Sequence, residues 1–312
     1  NDRRAELYEL LATITPGDIN RFFFCNSGTE AIEGALKVAR YFTGRTRIVA
    51  AKRGFHGRTI GALGTTWEPK YRKPFAQWTI NDVTHISFND IEAAHSAING
   101  ETAAVVVEAI QGEGGIHPAD DTYLQALSAF CDEHDTLLIV DEIQSGIGRS
   151  GRWFAFEQAG IVPDIITLGK GIAGGVPMGV VGWRDSLGQL APGTHGSTFG
   201  GNPLSCAAAI ATLNTLHETT TPAHCDKLGT TFMNRIQNAN IQIVREVRGR
   251  GLMLGIELRT RVTPILKMLQ DRGLIALPAG KTVLRLLPPL IITQDQLNTA
   301  SDIIEVVLHE SS

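Results

Sequence analysis

This chain has little cysteine, no long apolar run and no excess of positive charge, and each shortage closes off a class of protein. Four cysteines stand far apart, at Cys25, Cys131, Cys206 and Cys225. No C-x-x-C pair occurs, so a disulfide framework is not expected, and a reducing cytoplasm is the expected setting. No apolar stretch approaches the roughly 18–20 residues of a membrane span. No signal-peptide pattern is visible. Lys and Arg total 28 against 32 Asp and Glu, a net charge of −4. With no Lys/Arg-rich run either, neither a nucleic-acid nor a membrane partner is expected. The nine histidines include no H-E-x-x-H or other close ligand pair, so no metal site is expected. Repeats and low-complexity tracts are also missing.

What is present is an alternation of short apolar runs and helical stretches. The length of 312 residues suits one large or two moderate domains. Strands are expected at Arg21–Cys25, Arg47–Ala51, Ala103–Val107, Thr136–Val140, Ile165–Leu168 and Gly179–Gly182. Helices are expected at Glu30–Arg40, Thr122–Glu133, Arg152–Ala159 and from Pro203 to about His217. Short buried strands alternating with helices predict an α/β fold with a mostly parallel, doubly wound sheet. After a loop at Glu218–Pro222 the texture changes to a smaller α+β unit. The expected division is 1–215 for the large domain and 216–312 for the small one. The chain opens on a helical segment, Arg4–Leu11, without an initiator Met, so a preceding stretch is expected to be missing.

Two motifs mimic nucleotide sites. Gly146-Ile147-Gly148-Arg149-Ser150-Gly151 matches G-x-G-x-x-G, but Asp141–Ser145 separates it from its strand, so the glycines are expected to serve a tight loop. Leu137–Glu142 looks like the acidic strand of a P-loop enzyme. The only Gly-Lys-Thr, Gly280–Thr282, lies after that strand and has Ile275 where the first glycine belongs.

The chemistry-bearing residues stand at the ends of the apolar runs. Asp141 ends one and Lys170 follows another, where open α/β sheets bind ligands. A carboxylate and a lysine placed there suit pyridoxal phosphate: the lysine takes its aldehyde as a Schiff base and the acid pairs with the ring nitrogen. Ser27-Gly28-Thr29 opens a helix and can take a phosphate at its N–H groups, with hydroxyls able to donate; a plain helix cap is the plainer reading. Phe55 could stack on one face of the ring and Ile143 on the other. His56 is expected to be a loop histidine bonded locally.

Taken together, these residues resemble the class III, ornithine-type aminotransferases, which have the fold-type-I pyridoxal-phosphate transferase architecture. The likeness is carried by Asn26–Ala31, Phe55–Thr59, Glu108–Gly115, Asp141–Gln144, Leu168–Gly171, Gly196–Pro203 and Gly249–Gly255. It is strongest toward acetylornithine aminotransferases, and Ala276–Arg285 is similar to the branch acting on carrier-protein-bound aminoadipate intermediates. The resemblance implies that Lys170 and Asp141 are catalytic and that Gly28 and Thr29 hold the phosphate, helped by Thr198 from the partner of a homodimer. Gln144 would bond the ring's phenolic oxygen, and Ser197 would lie beside the substrate. Arg58 would take one substrate carboxylate and Arg285 the α-carboxylate of glutamate, with Glu113 covering Arg285 while the amine is bound. The implied reaction moves an amino group between an acylated ornithine- or lysine-type amine and 2-oxoglutarate, in arginine or lysine biosynthesis. Ornithine or 4-aminobutyrate as donor, a mutase or decarboxylase on the same fold, and an inactive partner-binding dimer stay open. Family members carry some tens of residues more at the N-terminus, toward the dimer and the substrate mouth.

Overall fold

Apolar runs closed by a polar residue or glycine become buried strands. The computed structural model describes residues 1–312. Seven strands form one sheet in the spatial order Ile19–Cys25, Gly179–Arg184, Ile165–Leu168, Leu137–Asp141, Thr102–Glu108, Arg47–Ala51 and Val83–Ile86. Only Gly179–Arg184 runs against the others. Every residue of Thr102–Glu108 and Leu137–Asp141 is buried, as a sheet covered on both faces requires. Alternate side chains serve the two faces. Ala104, Val106 and Ile139 pack with Ala31, Ile32 and Ala35 of the helix Gly28–Thr43. Val105, Val107 and Leu138 pack on the other side, with the helices Asp121–Glu133 and Pro203–Glu218.

A second sheet is antiparallel, ordered Val244–Arg250, Met253–Leu258, Val283–Leu286, Leu277–Ala279. The helices Thr221–Asn238, Val262–Asp271 and Gln294–Glu310 close over it around a separate core that includes Phe232, Leu254, Ile256 and Ile304. No helix is long and apolar enough to cross a membrane.

The structure differs from expectation in two elements. Residues 152–159 supply only a short 3-10 turn, Ala155–Ala159, ended by Gly160 at φ 68°. The expected loop at Glu218–Pro222 shrinks to Thr219 and Thr220: one helix ends at Glu218 and the next begins at Thr221. Pro222 lies in the first turn of that second helix, where its missing N–H costs nothing, and Thr220 makes the corner at φ 48°. The G-x-G-x-x-G segment is a run of turns that opens no helix, and Gly280–Lys281 makes the turn into Val283–Leu286.

Candidate active site

Five of the parallel chain segments deliver a functional group at the same edge, their carboxyl ends. Gly28 and Thr29 follow Cys25; Phe55 and Arg58 follow Ala51; Glu108 and Asp141 end their strands; Lys170 follows Leu168. With Ile143, Gln144, Glu113, His56 and Gly57 they enclose a cavity of about 330 Å³. This is the position at which open α/β sheets take ligands.

Asp141 is the most tightly held of these groups. Its Oδ1 accepts from Ile143 N at 3.0 Å and from Thr167 Oγ1 at 3.3 Å. Its Oδ2 lies 2.7 Å from His56 Nδ1. His56 is thus not bonded locally, as its place in a loop suggested. It is buried against an acid 85 positions away. Burial disfavours its protonated form, but the hydrogen bond and charge of Asp141, with Glu108, more than offset this and raise its pKa.

Glu108 faces Asp141 across neighbouring strands. It accepts from Phe55 N at 3.1 Å and Gly112 N at 3.2 Å, so it ties two cavity loops together. Burial pushes its carboxyl up to about 7; His56 works against the rise and Asp141 with it. Sequence reasoning passed over Glu108, although it ends an apolar run just as Asp141 does. For His56 the sequence carries no signal beyond its place beside Phe55.

Lys170 sits at φ 45° between Gly169 and Gly171. A non-glycine residue in that region costs on the order of 1–3 kcal/mol and is found where the surroundings impose it. Its side chain is exposed to the open cavity, with the cavity walls around it. Desolvation by those walls lowers its pKa; Asp141, Glu108 and Glu113 oppose the shift, and Arg285 adds to it.

The phosphate end also fits. The helix Gly28–Thr43 begins at Gly28, and its first N–H groups have no intrahelical partner. A Cβ on Gly28 would stand 2.9 Å from Ile143 Cδ1 and Cγ2, so any larger residue would push the side chain expected on the ring face. Ser27 does not line the cavity: its Oγ caps the helix, accepting from Glu30 N at 3.4 Å. Phe55 lies at the cavity wall, edge-on to Tyr71 at 5.9 Å between centroids. A helix start, a multiply held carboxylate, a desolvated lysine and an aromatic wall make a donor set that suits pyridoxal phosphate.

Two arginines stand where the substrate is expected. Arg58 packs over the rings of Tyr71 and Phe55, 4.8 and 5.8 Å from their centroids, and is exposed. Arg285 comes from the small sheet; its Nη1 is 2.5 Å from Glu113 Oε1 and 3.5 Å from Gln144 Oε1. Ser197 and Thr198 lie exposed outside the cavity. Ser197 Oγ accepts from Asn26 Nδ2 at 3.2 Å, which keeps this loop beside the phosphate end.

Comparison with known proteins agrees with this geometry. The class-III aminotransferase family profile matches residues 1–308. The chain is 46% identical to an acetylornithine aminotransferase of Methanopyrus kandleri, over 96% of this chain and 77% of that one. It is 44% identical to a LysW-aminoadipate semialdehyde/glutamate semialdehyde transaminase of Sulfolobus acidocaldarius, over 96% and 78%. The structure superposes on an ornithine aminotransferase of Toxoplasma gondii with a TM-score of 0.94 at 31% identity, covering 99% of this chain and 77% of that one. Matched along nearly its whole length, and with a cavity suited to the cofactor, the chain belongs to the class-III aminotransferases, which depend on pyridoxal phosphate.

Proposed function

We propose that this aminotransferase exchanges an amino group between the terminal amine of an acylated ornithine- or lysine-type substrate, or its semialdehyde, and the 2-oxoglutarate/glutamate pair, in arginine or lysine biosynthesis. The observation that carries this is the pairing of Arg285 with Glu113, which lines the cavity that also holds the unpaired Arg58. One site must accept an amine remote from a carboxylate, then an amine beside one. An arginine covered by a movable acid serves the first, and the same arginine uncovered serves the second. Arg58 stays available for a carboxylate in a bidentate pair.

When bound, the cofactor supplies an electron sink for the carbon that gives up its proton. Lys170 moves that proton: desolvation leaves its amine more basic-form than a surface lysine, and its placement between glycines gives it reach. Asp141 holds the ring nitrogen, steadied by Thr167, His56 and Ile143 N. Gly28 and Thr29 hold the phosphate, Phe55 and Ile143 the ring faces, and Gln144 the phenolic oxygen. Residues 1–215 hold the cofactor, and 216–312 supply Arg285. The active unit is a homodimer, with Thr198 reaching the partner's phosphate site and Ser197 the substrate. Free, buried cysteines suit the cytoplasm. A carrier protein that presents the acyl chain, as the LysW in the name of one relative suggests, is part of this reading.

Lys170→Ala is the first test. The variant should lose cofactor absorbance typical of a lysine-bound aldehyde and lose glutamate formation; normal turnover would overturn the assignment. Mixing the cofactor-loaded enzyme with ornithine, acetylornithine, acetyl-lysine and carrier-bound amines in turn, and following the cofactor spectrum, identifies the donor. A response to none of the acylated amines sinks the substrate reading.

A further inference from the structure

The loop Gly54–Thr59 brings Phe55 and Arg58 to the cavity, and it must be held at a fixed distance from the helix that opens at Gly28. Glu33 of that helix makes the connection. Its Oε1 accepts from Thr59 Oγ1 at 2.5 Å, from Gly61 N at 2.8 Å and from Ala62 N at 3.1 Å. Thr59 Oγ1 in turn lies 2.8 Å from Thr29 Oγ1, and Thr59 N donates to Thr29 Oγ1 at 3.4 Å.

Counting protons fixes the direction of this relay. An ionised carboxylate only accepts, and a hydroxyl has one proton to give. Thr59 gives its proton to Glu33, so between the two threonines it can only accept. Thr29 therefore spends its own proton on Thr59 and has none left for a phosphate. Within this chain the phosphate falls to the main-chain N–H groups of Gly28 and Thr29, which open the helix and have no intrahelical partner.

Two glycines on either side of Arg58 make room for the relay. A Cβ on Gly57 would stand 2.2 Å from Thr29 Oγ1, and one on Gly61 would stand 2.3 Å from Glu33 Oε2. Gly57 also has φ 131°, a conformation that side chains rarely adopt.

We propose that Glu33 is a positioning residue: through Thr59 it commits the Thr29 hydroxyl to the loop that carries Arg58, and leaves the cofactor phosphate to main-chain N–H groups. The proposal rests on Arg58 taking a substrate carboxylate. Glu33→Ala and Thr59→Val should therefore separate two readouts. Apoprotein titrated with pyridoxal phosphate should keep its affinity within about twofold, while KM for glutamate rises about tenfold and kcat changes less. Amide exchange at Gly61 and Ala62 should speed up in Glu33→Ala. Glu33→Gln, whose amide oxygen still accepts, should recover most of the KM.

A fall of tenfold or more in cofactor affinity for Thr59→Val or Glu33→Ala would overturn the proposal, since the Thr29 hydroxyl would then be serving the phosphate. An unchanged KM in both variants, or a Gln variant as impaired as the Ala variant, overturns it as well. If wild-type protein fails to form glutamate, the function itself is wrong; active wild type beside unaffected variants removes the relay alone.

Discussion

At the scale of single residues, the floor of the cavity is a crowd of buried acids. Glu108 and Asp141 are register partners on adjacent strands, and Glu142 follows directly. Burial pushes the Glu142 carboxyl up to about 7, despite bonds from Ser145 Oγ and the main chain that favour its charged form. The unfolded chain releases this proton near 4.5, so the folded state binds more protons between those values. Stability from this group is therefore complete below about pH 4.5, declines as pH rises to about 7, and is flat above that. Glu142→Gln has no proton to lose. It should match wild type in thermal stability near pH 4.5 and exceed it at pH 8, by on the order of 2–3 kcal/mol. A gap that is the same at both pH values would show that Glu142 is not protonated in the fold. Asp141 could be picked out from the sequence because it ends a strand. Its bond to His56 could not, because 85 residues separate the pair and only the sheet order brings them together.

At the scale of elements, legibility followed local signal. The long amphipathic helices and the fully buried strands were readable from periodicity and apolar runs. Ile60–Thr65 was not: Gly61 and Gly64 argue against a helix, and what caps it is Glu33, from another helix. Val83–Ile86 is a four-residue edge strand with three half-buried positions, too short and too mixed to stand out. The helix Thr221–Asn238 shows the opposite case, a glycine that propensity would discard. Gly229 lies in its interior, and replacing glycine by alanine in a helix normally gains about 1 kcal/mol. Here a Cβ would come 1.8 Å from the carbonyl oxygen of Gly251. That oxygen belongs to the turn between Val244–Arg250 and Met253–Leu258, where Gly251 itself has φ 52°. Overpacking costs typically about 1–3 kcal/mol or more where backbone must move, so the clash outweighs the propensity. Gly229→Ala should lower the unfolding temperature, and a variant more stable than wild type would show that the helix can slide off the turn.

At the scale of the whole molecule, two cores meet at the candidate site, and arginines join them. Arg149 donates to the carbonyls of Leu252 and Pro288, and Arg250 to Asp121. Arg248 makes the joint nearest the Glu113–Arg285 pair. It leaves the small sheet, pairs with Glu257 at 2.5 Å and Glu246 at 2.6 Å, and donates to the carbonyls of Gly115 and Ile116. Those carbonyls belong to the loop that carries Glu113, and the same small sheet carries Arg285. The separation of Glu113 from Arg285 is thus set by a frame with Arg248 as its cross-member. Removing Arg248 leaves the carbonyls of Gly115 and Ile116 without their side-chain donor, at about 1–3 kcal/mol for a buried group left unmet, while the half-buried Glu257 keeps Arg245 at 3.2 Å. Arg248→Met keeps the apolar stem and deletes only the charge and the donors. It should lower the unfolding temperature and raise KM for glutamate more than it lowers kcat. The phosphate end is built on the first core, so cofactor affinity of the apoprotein should hold. Cofactor affinity falling in step with KM would mean that the two cores fold as one unit and that Arg248 supports the fold as a whole; an unmoved KM would free the Glu113–Arg285 pair from that frame.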